Sequence, residues 1–372
     1  MSTSALAERV KLANEERRPL RIAGAGTWKS AAPADATNEL STRALDQVAE
    51  YVPGDLTITV GAGMTLSKLE TITAEHGQWL TLDPYGSPDG TVGATVATAS
   101  SGPLATGFGQ PRDLVLGVEA VMGRGSVIRA GGRVVKNVAG FDITRLLTGS
   151  RGTIGVITEV SLRLSARPAV DQTIAIDIGS RHGALRDAIA AIRGWPTVPM
   201  AAELLSPRAA GAVGLRAVLT LLLRLGGNTR MIAAMNKRAT SIGGVEHADT
   251  QVWTRLRALD LDAMVSFRVS DLPTAFIERW EDALSLAGDQ GLVTGSPLRG
   301  QVRCITPSIE RTDINNFRSR APSATLVYDA LPSAATWNSL TSVPTASTLH
   351  ARVLEAFDPV GVMNPGAMRI AR

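Results

Sequence analysis

Three glycine-rich stretches constrain this chain more than any other feature: GAGTWKS at 24–30, TVGATVATASSG at 91–102 and TGSRGTIG at 148–155. Runs of small residues let several backbone N–H groups converge on one anion, which a buried pyrophosphate needs because its charge is costly to leave unpaired. Glycine turns at strand ends also occur without any ligand, so a single stretch decides little. GAGTWK is not the dinucleotide fingerprint G-x-G-x-x-G, because Lys29 stands where the third glycine belongs, and no G-x-x-x-x-G-K-[ST] loop is present. The weight therefore rests on the three stretches taken together.

Around them, short apolar runs alternate with helical patterns. LRIAG (20–24) and LTITV (56–60) read as strands, whereas ALDQVAEYV (44–52) and TLSKLETITAEHG (65–77) read as helices. The two β-rich runs flanking MGRG (122–125) predict a hairpin. Alternation of this kind implies an α/β or α+β domain over 1–168. After Pro168 the glycine density falls, and strand and helix patterns repeat through TIAIDI, MAAELL, TRMIAAMNKRA, MVSFRVS and AFIERWEDALSLAGD. These predict a second α+β domain over 169–345, with an antiparallel sheet flanked by helices and no exact internal repeat. A closing helix and a Pro- and Gly-punctuated tail occupy 346–372.

At 372 residues two domains are the expectation, and 36 glycines with only 4% aromatics favour a cofactor cradle over a base-stacking surface. A net charge of +4, with the two signs interspersed, is weak evidence for a polyanion partner, so no nucleic-acid role is expected. The single Cys304 excludes an intramolecular disulfide and cannot supply the four thiolates of an iron–sulfur cluster. A reducing cytoplasm fits. Arg17-Arg18 is not followed by a signal-peptide core, and the most apolar run, AVLTLLLRL (217–225), is interrupted by Arg224 and falls short of the roughly 20 residues a membrane span requires. It reads as a core strand, and no transmembrane segment is expected.

The stretch GRVVKNVAGFDITRLLTGSRGTIGVIT (132–158) sets a few separated polar residues among small and apolar ones, a pattern suited to a large flat ligand. With GDLTITVGAGMTLSKLE, GSPDGTVGATVATASSG, PRDLVLGVEAVMGRG and the closing FDPVGVMNPG, in that order, it resembles the vanillyl-alcohol-oxidase/PCMH-type FAD-binding oxidoreductases. Within that family the motifs are most similar to FAD-binding subunits of glycolate oxidases. The resemblance spans about 20–168 and 350–369, and only patches such as VWTRLRAL and MVSFRVSDLP between them.

The resemblance implies a PCMH-type FAD-binding domain made of two α/β subdomains, plus the second α+β domain. It places Gly24, Gly26 and Thr27 in the first pyrophosphate loop, and Gly93, Ala94, Ser100, Ser101 and Gly102 in a second loop along the FAD. Lys136, Asn137, Ala139, Gly140 and Asp142 match its KNVAGYD pattern, with Phe141 for the Tyr. Gly149, Gly152, Ile154, Gly155 and Ile157 match GSEGTLGVITE, with Arg151 for the Glu, and Asn364 matches an asparagine near the isoalloxazine ring. GAGTWKSAAP offers no histidine for covalent attachment, so noncovalent FAD is expected.

The function so implied is an FAD-binding subunit of a glycolate-oxidase-type 2-hydroxy-acid dehydrogenase complex. Its partners would be a catalytic FAD subunit and an iron–sulfur subunit, its substrate a small 2-hydroxy acid such as glycolate, and its location cytoplasmic or at the inner membrane face through those partners. Two other readings stay open: a non-catalytic flavin-binding or assembly subunit, and a stand-alone FAD-dependent alcohol or sugar oxidoreductase. The HGDGNLH-like segment of catalytic relatives is missing, and His76, His182, His247 and His350 are too scattered for a metal site. His76 reads as a helix-end residue. His350, opening the last helix, is the candidate base, against a solvated first-turn role. Arg268 is the candidate for a substrate carboxylate, which a guanidinium can hold bidentately, against an exposed strand arginine. Arg112 and Asp113 read as a pair fixing their loop, and Cys304 as a small core residue.

Overall fold

The computed structural model describes residues 2–27, 38–132, 142–179, 181, 183–333, 336, 340–342, 348–367 and 370–371. They fall into two units: Met1–Ser101, Gly109–Arg167 and Thr341–Ile370 form the first, and Gly102–Phe108, Pro168–Leu340 and Ala371–Arg372 the second.

In the first unit a five-stranded antiparallel sheet runs in the order Val48–Val52, Thr57–Gly61, Gly155–Arg163, Val115–Met122, Val127–Gly131. Apolar residues on both sides of its central strands give it two cores. One collects Ile58, Val60, Val118, Ala120, Ile157, Val160 and Leu162 beneath the helices Leu66–Ala74 and Val92–Thr98. The other sets Val121 and Val156 against Leu6 and Val10 of the helix Thr3–Glu15, whose buried Leu6, Val10 and Ala13 share one helical face. A β-bulge makes this possible. Glu119 pairs with Glu159 but Ala120 with Ile157, so Thr158 is an extra residue, and Ile157 before it and Val160 after it reach the same core.

The helix expected over 44–52 is instead the strand Val48–Val52, turned back on Thr57–Gly61 through Pro53–Asp55 and a left-handed Leu56. Leu45, Val48, Ala49 and Val52 do have helical spacing, but Val48, Tyr51 and Val52 are also strand formers. The open edge of Thr57–Gly61 supplies ladder bonds that an isolated helical turn cannot match. The MGRG hairpin is present, pairing Val115–Met122 with Val127–Gly131.

The second unit is one eight-stranded antiparallel sheet, ordered Gly244–Ala248, Val170–Asp177, Thr220–Gly227, Ala201–Leu205, Leu292–Ser296, Gln301–Thr306, Val265–Ser270, Thr325–Ala330. Each half reads strand, helix, strand, strand, helix, strand, the first with an added short helix Pro207–Ala212 between its second and third strands, in spatial order 4-1-3-2 and its mirror 2-3-1-4. Two ferredoxin-like halves therefore join edge to edge where Leu204 and Leu205 pair with Gly295 and Thr294. This duplication leaves no repeat in the residues. The AVLTLLLRL run supplies a core strand, as expected, with Leu221, Leu222, Leu223 and Leu225 buried. Cys304 is fully buried, its Sγ donating to the Ala283 carbonyl at 3.8 Å, and burial pushes the thiol up to about 12.

Candidate functional site

Four segments of the first unit, brought together by backbone bonds, wall a cavity: the strand Arg21–Ala23 with the loop to Thr27, the helix Val92–Thr98 with the turn before it, the turn around Arg151 and Gly152, and the tail at Asn364–Ala367. The helix starts where Thr91 caps it, its Oγ accepting from the Ala94 N–H at 3.3 Å. It is anchored from below, since Val92 N–H donates to the Met64 carbonyl and Gly93 N–H to the Ala62 carbonyl, both at 2.9 Å. At the helix's other end, Gly149 N–H donates to the Val96 carbonyl at 3.0 Å and Arg151 N–H to the Ala97 carbonyl at 2.6 Å. Gly149, Arg151 and Gly152 are left-handed, with φ of +88°, +52° and +74°.

The tail closes the ring. Leu20 N–H donates to the Val362 carbonyl at 2.7 Å, Asn364 N–H to the Leu20 carbonyl at 2.9 Å, and Asn364 Nδ2 to the Arg151 carbonyl at 2.6 Å. Buried Asp358 braces this segment by accepting from Val362 N–H at 3.2 Å and Met363 N–H at 2.8 Å. Burial raises its carboxyl above the usual range, and those same donors oppose the rise.

The glycines do different jobs. Gly26 and Gly86 line the cavity in left-handed conformations, and a Cβ on either would meet no protein atom within 4 Å, so their missing side chains open space for a ligand. Gly93 also lines the cavity, but a Cβ there would lie 2.6 Å from Ala62 Cβ. Its smallness serves helix-on-strand packing rather than ligand access. Gly24 is held against the helix cap, with Thr91 Oγ 2.2 Å from where its Cβ would stand.

Of the residues singled out in the sequence, Gly24, Gly26, Thr27, Gly93, Ala94, Gly152, Gly155, Ile157 and Asn364 line this cavity together. Ser100, Ser101, Gly102, Gly149 and Ile154 do not. Ser100 and Ser101 are buried after the helix, Gly102 opens a segment of the second unit, and Ile154 sits in the core. Asp142 is an exposed helix cap accepting from Arg145 N–H at 2.9 Å, and its pattern-mates Lys136, Asn137, Ala139 and Gly140 lie outside the described residues. Sequence reading missed Arg21, Leu66, Thr91 and the Pro84–Ser87 turn, all in the wall. The turn residues of DPYGSPDG were the available signal for the last of these.

Of the two catalytic candidates, Arg268 is not among the described lining residues. Arg268 belongs to the second unit, where it is buried rather than exposed. Its Nε lies 2.8 Å from Asp329, which Arg303 also approaches at 2.9 Å, while Arg303 reaches Asp260 at 2.6 Å. Its carboxylate partner is internal. His350 stands in the first turn of the helix Thr348–Phe357, and its side chain lies outside the described residues. His76 follows the end of Leu66–Ala74 and sits edge-on to Tyr51 at 5.1 Å, and Asp113 closes a capping box by accepting from Gln110 N–H at 2.8 Å. Among the described residues no group of His, Cys, Asp and Glu could hold a metal, and no helix is long and apolar enough to cross a membrane.

A cavity walled by small residues, apolar at Leu66, Pro84 and Ile157, and open where glycine side chains are missing fits an extended cofactor with a planar apolar end and a charged middle. The comparisons identify that cofactor's class. The family described as FAD binding domain matches residues 1–131. The fold aligns with p-cresol methylhydroxylase at a TM-score of 0.74 and 16% identity, over 98% of this chain and 87% of that one. The chain thus has the fold of p-cresol methylhydroxylase and matches an FAD binding domain over its first third. Along its length it is similar to glycolate oxidase subunit GlcE of Escherichia coli strain K12, 29% identical over 98% of this chain and 97% of that protein. A D-lactate dehydrogenase of Archaeoglobus fulgidus is 34% identical over 54% of this chain and 45% of its own length.

Proposed function

We propose that the chain is the FAD-binding subunit of a glycolate-oxidase-type 2-hydroxy-acid dehydrogenase complex. It holds FAD noncovalently and passes electrons within the assembly. FAD supplies a two-electron acceptor at the cavity. The chain's residues hold it: the Gly24–Thr27 loop, the capped start of Val92–Thr98, the Arg151–Gly152 turn and Asn364. The likeness to GlcE over 97% of that subunit, together with this cavity, carries the reading. Partners supply the rest: a catalytic FAD subunit, and an iron–sulfur subunit for clusters that one cysteine cannot bind. A cytoplasmic place, at the inner membrane face through those partners, follows from the same reading.

One observation favours a division of labour in which this subunit does not oxidise the acid by itself. Removing the hydroxyl proton needs a positioned base, worth about 10²–10⁴-fold in rate. None of the described lining residues is His, Asp, Glu, Cys or Lys. The test is the visible spectrum of the purified chain before and after glycolate or D-lactate, alone and with the catalytic partner. Flavin that is released by acid and bleaches only with the partner supports the reading. Rapid bleaching of the chain alone would overturn the division of labour, and a colourless chain that takes up no FAD would overturn the function.

A further inference from the structure

Asp358 is not among the residues lining the cavity, yet it shapes the segment that joins two of the cavity's walls. Its buried carboxylate accepts from the N–H groups of Val362 and Met363, and its carbonyl accepts from Gly361 N–H at 3.1 Å, so 358–363 folds into a closed turn. That turn meets Leu20 on both sides, through the Val362 carbonyl and the Asn364 N–H, and Leu20 leads straight into the strand Arg21–Ala23 and the Gly24–Thr27 loop. Asn364, the next residue after the turn, holds the Arg151 carbonyl. The tail thus staples the first loop to the Arg151–Gly152 turn. Val362 and Met363 are each 2% exposed, and without the carboxylate their N–H groups would be buried with no acceptor. Gly123 of the MGRG hairpin backs the same turn, its N–H donating to the Phe357 carbonyl at 3.1 Å, and a Cβ there would lie 2.9 Å from Asp358 Cα.

We propose that Asp358 is a positioning residue for the cofactor: by fixing the tail turn it holds the Gly24–Thr27 loop and the Arg151–Gly152 turn in one arrangement, so that docking of the tail and binding of FAD are coupled. This deepens the FAD reading above and rests on it. The coupling is reciprocal, so FAD fastens the tail by the factor by which the docked tail strengthens FAD.

The test uses the full flavin-free chain and its Asp358→Ala, Asp358→Asn, Gly123→Ala and Glu119→Gln variants. Glu119 is the control, since its bonds run to Thr3, Arg129 and Thr158 of the same unit and not to the tail. FAD is titrated into each, melting temperatures are recorded, and amide hydrogen exchange at Leu20 and Met363 is followed with and without FAD. Asp358→Ala should weaken FAD by about tenfold or more and speed exchange at Leu20. Asp358→Asn keeps an oxygen for one of the two N–H groups and should fall between Asp358→Ala and the parent. Gly123→Ala, which displaces the turn from the hairpin side, should weaken FAD with the carboxylate intact. Glu119→Gln should melt lower with FAD affinity unchanged, and in the parent FAD should slow exchange at Leu20 and Met363. Affinity unchanged in Asp358→Ala, or exchange at Leu20 unmoved by FAD, would overturn the proposal. So would an equal loss of affinity in Glu119→Gln at an equal loss of melting temperature, the mark of a merely structural carboxylate. If Asp358→Ala does not fold, the same criteria apply to Asp358→Asn and Gly123→Ala. A parent chain that binds no FAD would overturn the function proposed above and this proposal with it, whereas the other outcomes overturn this proposal alone.

Discussion

Gly24 offers a sharp test of how the cavity is held, because its fault line is a single atom. An added Cβ would stand 2.2 Å from Thr91 Oγ, and 3.3 Å from Thr91 Cβ and Cγ2. Gly24 is not in the left-handed region, so Gly24→Ala is strained by contact alone and would otherwise gain about 0.4–1 kcal/mol through the unfolded chain. To admit the methyl, Thr91 must rotate and give up its bond to Ala94 N–H, a cap worth about 1 kcal/mol, and leave its preferred rotamer at a further ~0.5–1.5 kcal/mol. The net loss should be roughly 1 kcal/mol. Thr91→Ala alone should cost about the same, as a lost cap. In that background the 2.2 Å contact is gone, and Gly24→Ala should be close to neutral. Urea unfolding of the flavin-free single and double variants measures the coupling, expected at about 1 kcal/mol in favour of the double variant. FAD affinity should recover with it. Costs that add to within about 0.5 kcal/mol would refute the argument that Thr91 Oγ is what requires glycine at position 24.

Three further outcomes are expected. Burial alone would raise the Glu119 carboxyl, but bonds from Thr158, Arg129 and Thr3 hold it below the usual range. Its stabilising contribution is therefore present above the unfolded value, about pH 4.3, and is lost as pH falls through the depressed one, so Glu119→Gln should flatten the acid limb of a stability-versus-pH curve. Asn364→Ala removes the bond to the Arg151 carbonyl and forces alanine to φ +45°, so it should destabilise the flavin-free chain by about 2 kcal/mol and weaken FAD, whereas Asn364→Gly should lose only the bond, near 1 kcal/mol, in denaturant titrations. Arg268→Ala takes one arginine partner from buried Asp329, which Arg303 also approaches, and should cost about 3 kcal/mol in chemical unfolding with FAD affinity unchanged; undiminished stability would restore Arg268 as a residue free to bind a substrate.

Features with a local cause were legible. TITV and TLLLRL carry their strand signal within a few residues, and the α+β class with an antiparallel second sheet follows from the order of such runs, whereas VGATVAT, read as part of a glycine-rich loop, is the helix Val92–Thr98. The glycine stretches were legible as a group for the same reason: Gly26, Gly93 and Gly152 do line one wall. Why each is glycine was not legible, since it depends on what faces it. Gly26 faces open space, Gly93 faces Ala62 and Gly152 faces Ile22, and no spacing in the chain distinguishes these cases.

Features created by a distant partner were hidden. Val48–Val52 is a strand because Thr57–Gly61 offers it an edge, and Thr158 flips the facing of its strand because Val115–Met122 pairs on either side of it. Arg268 shows the functional side of the same limit. A strand arginine among apolar residues must be neutralised by something, and from its neighbours alone a substrate carboxylate is as good a candidate as an internal one. The pairing of Val265–Ser270 with Thr325–Ala330 brings Asp329 within 2.8 Å, an internal carboxylate that the neighbours of Arg268 in sequence do not reveal.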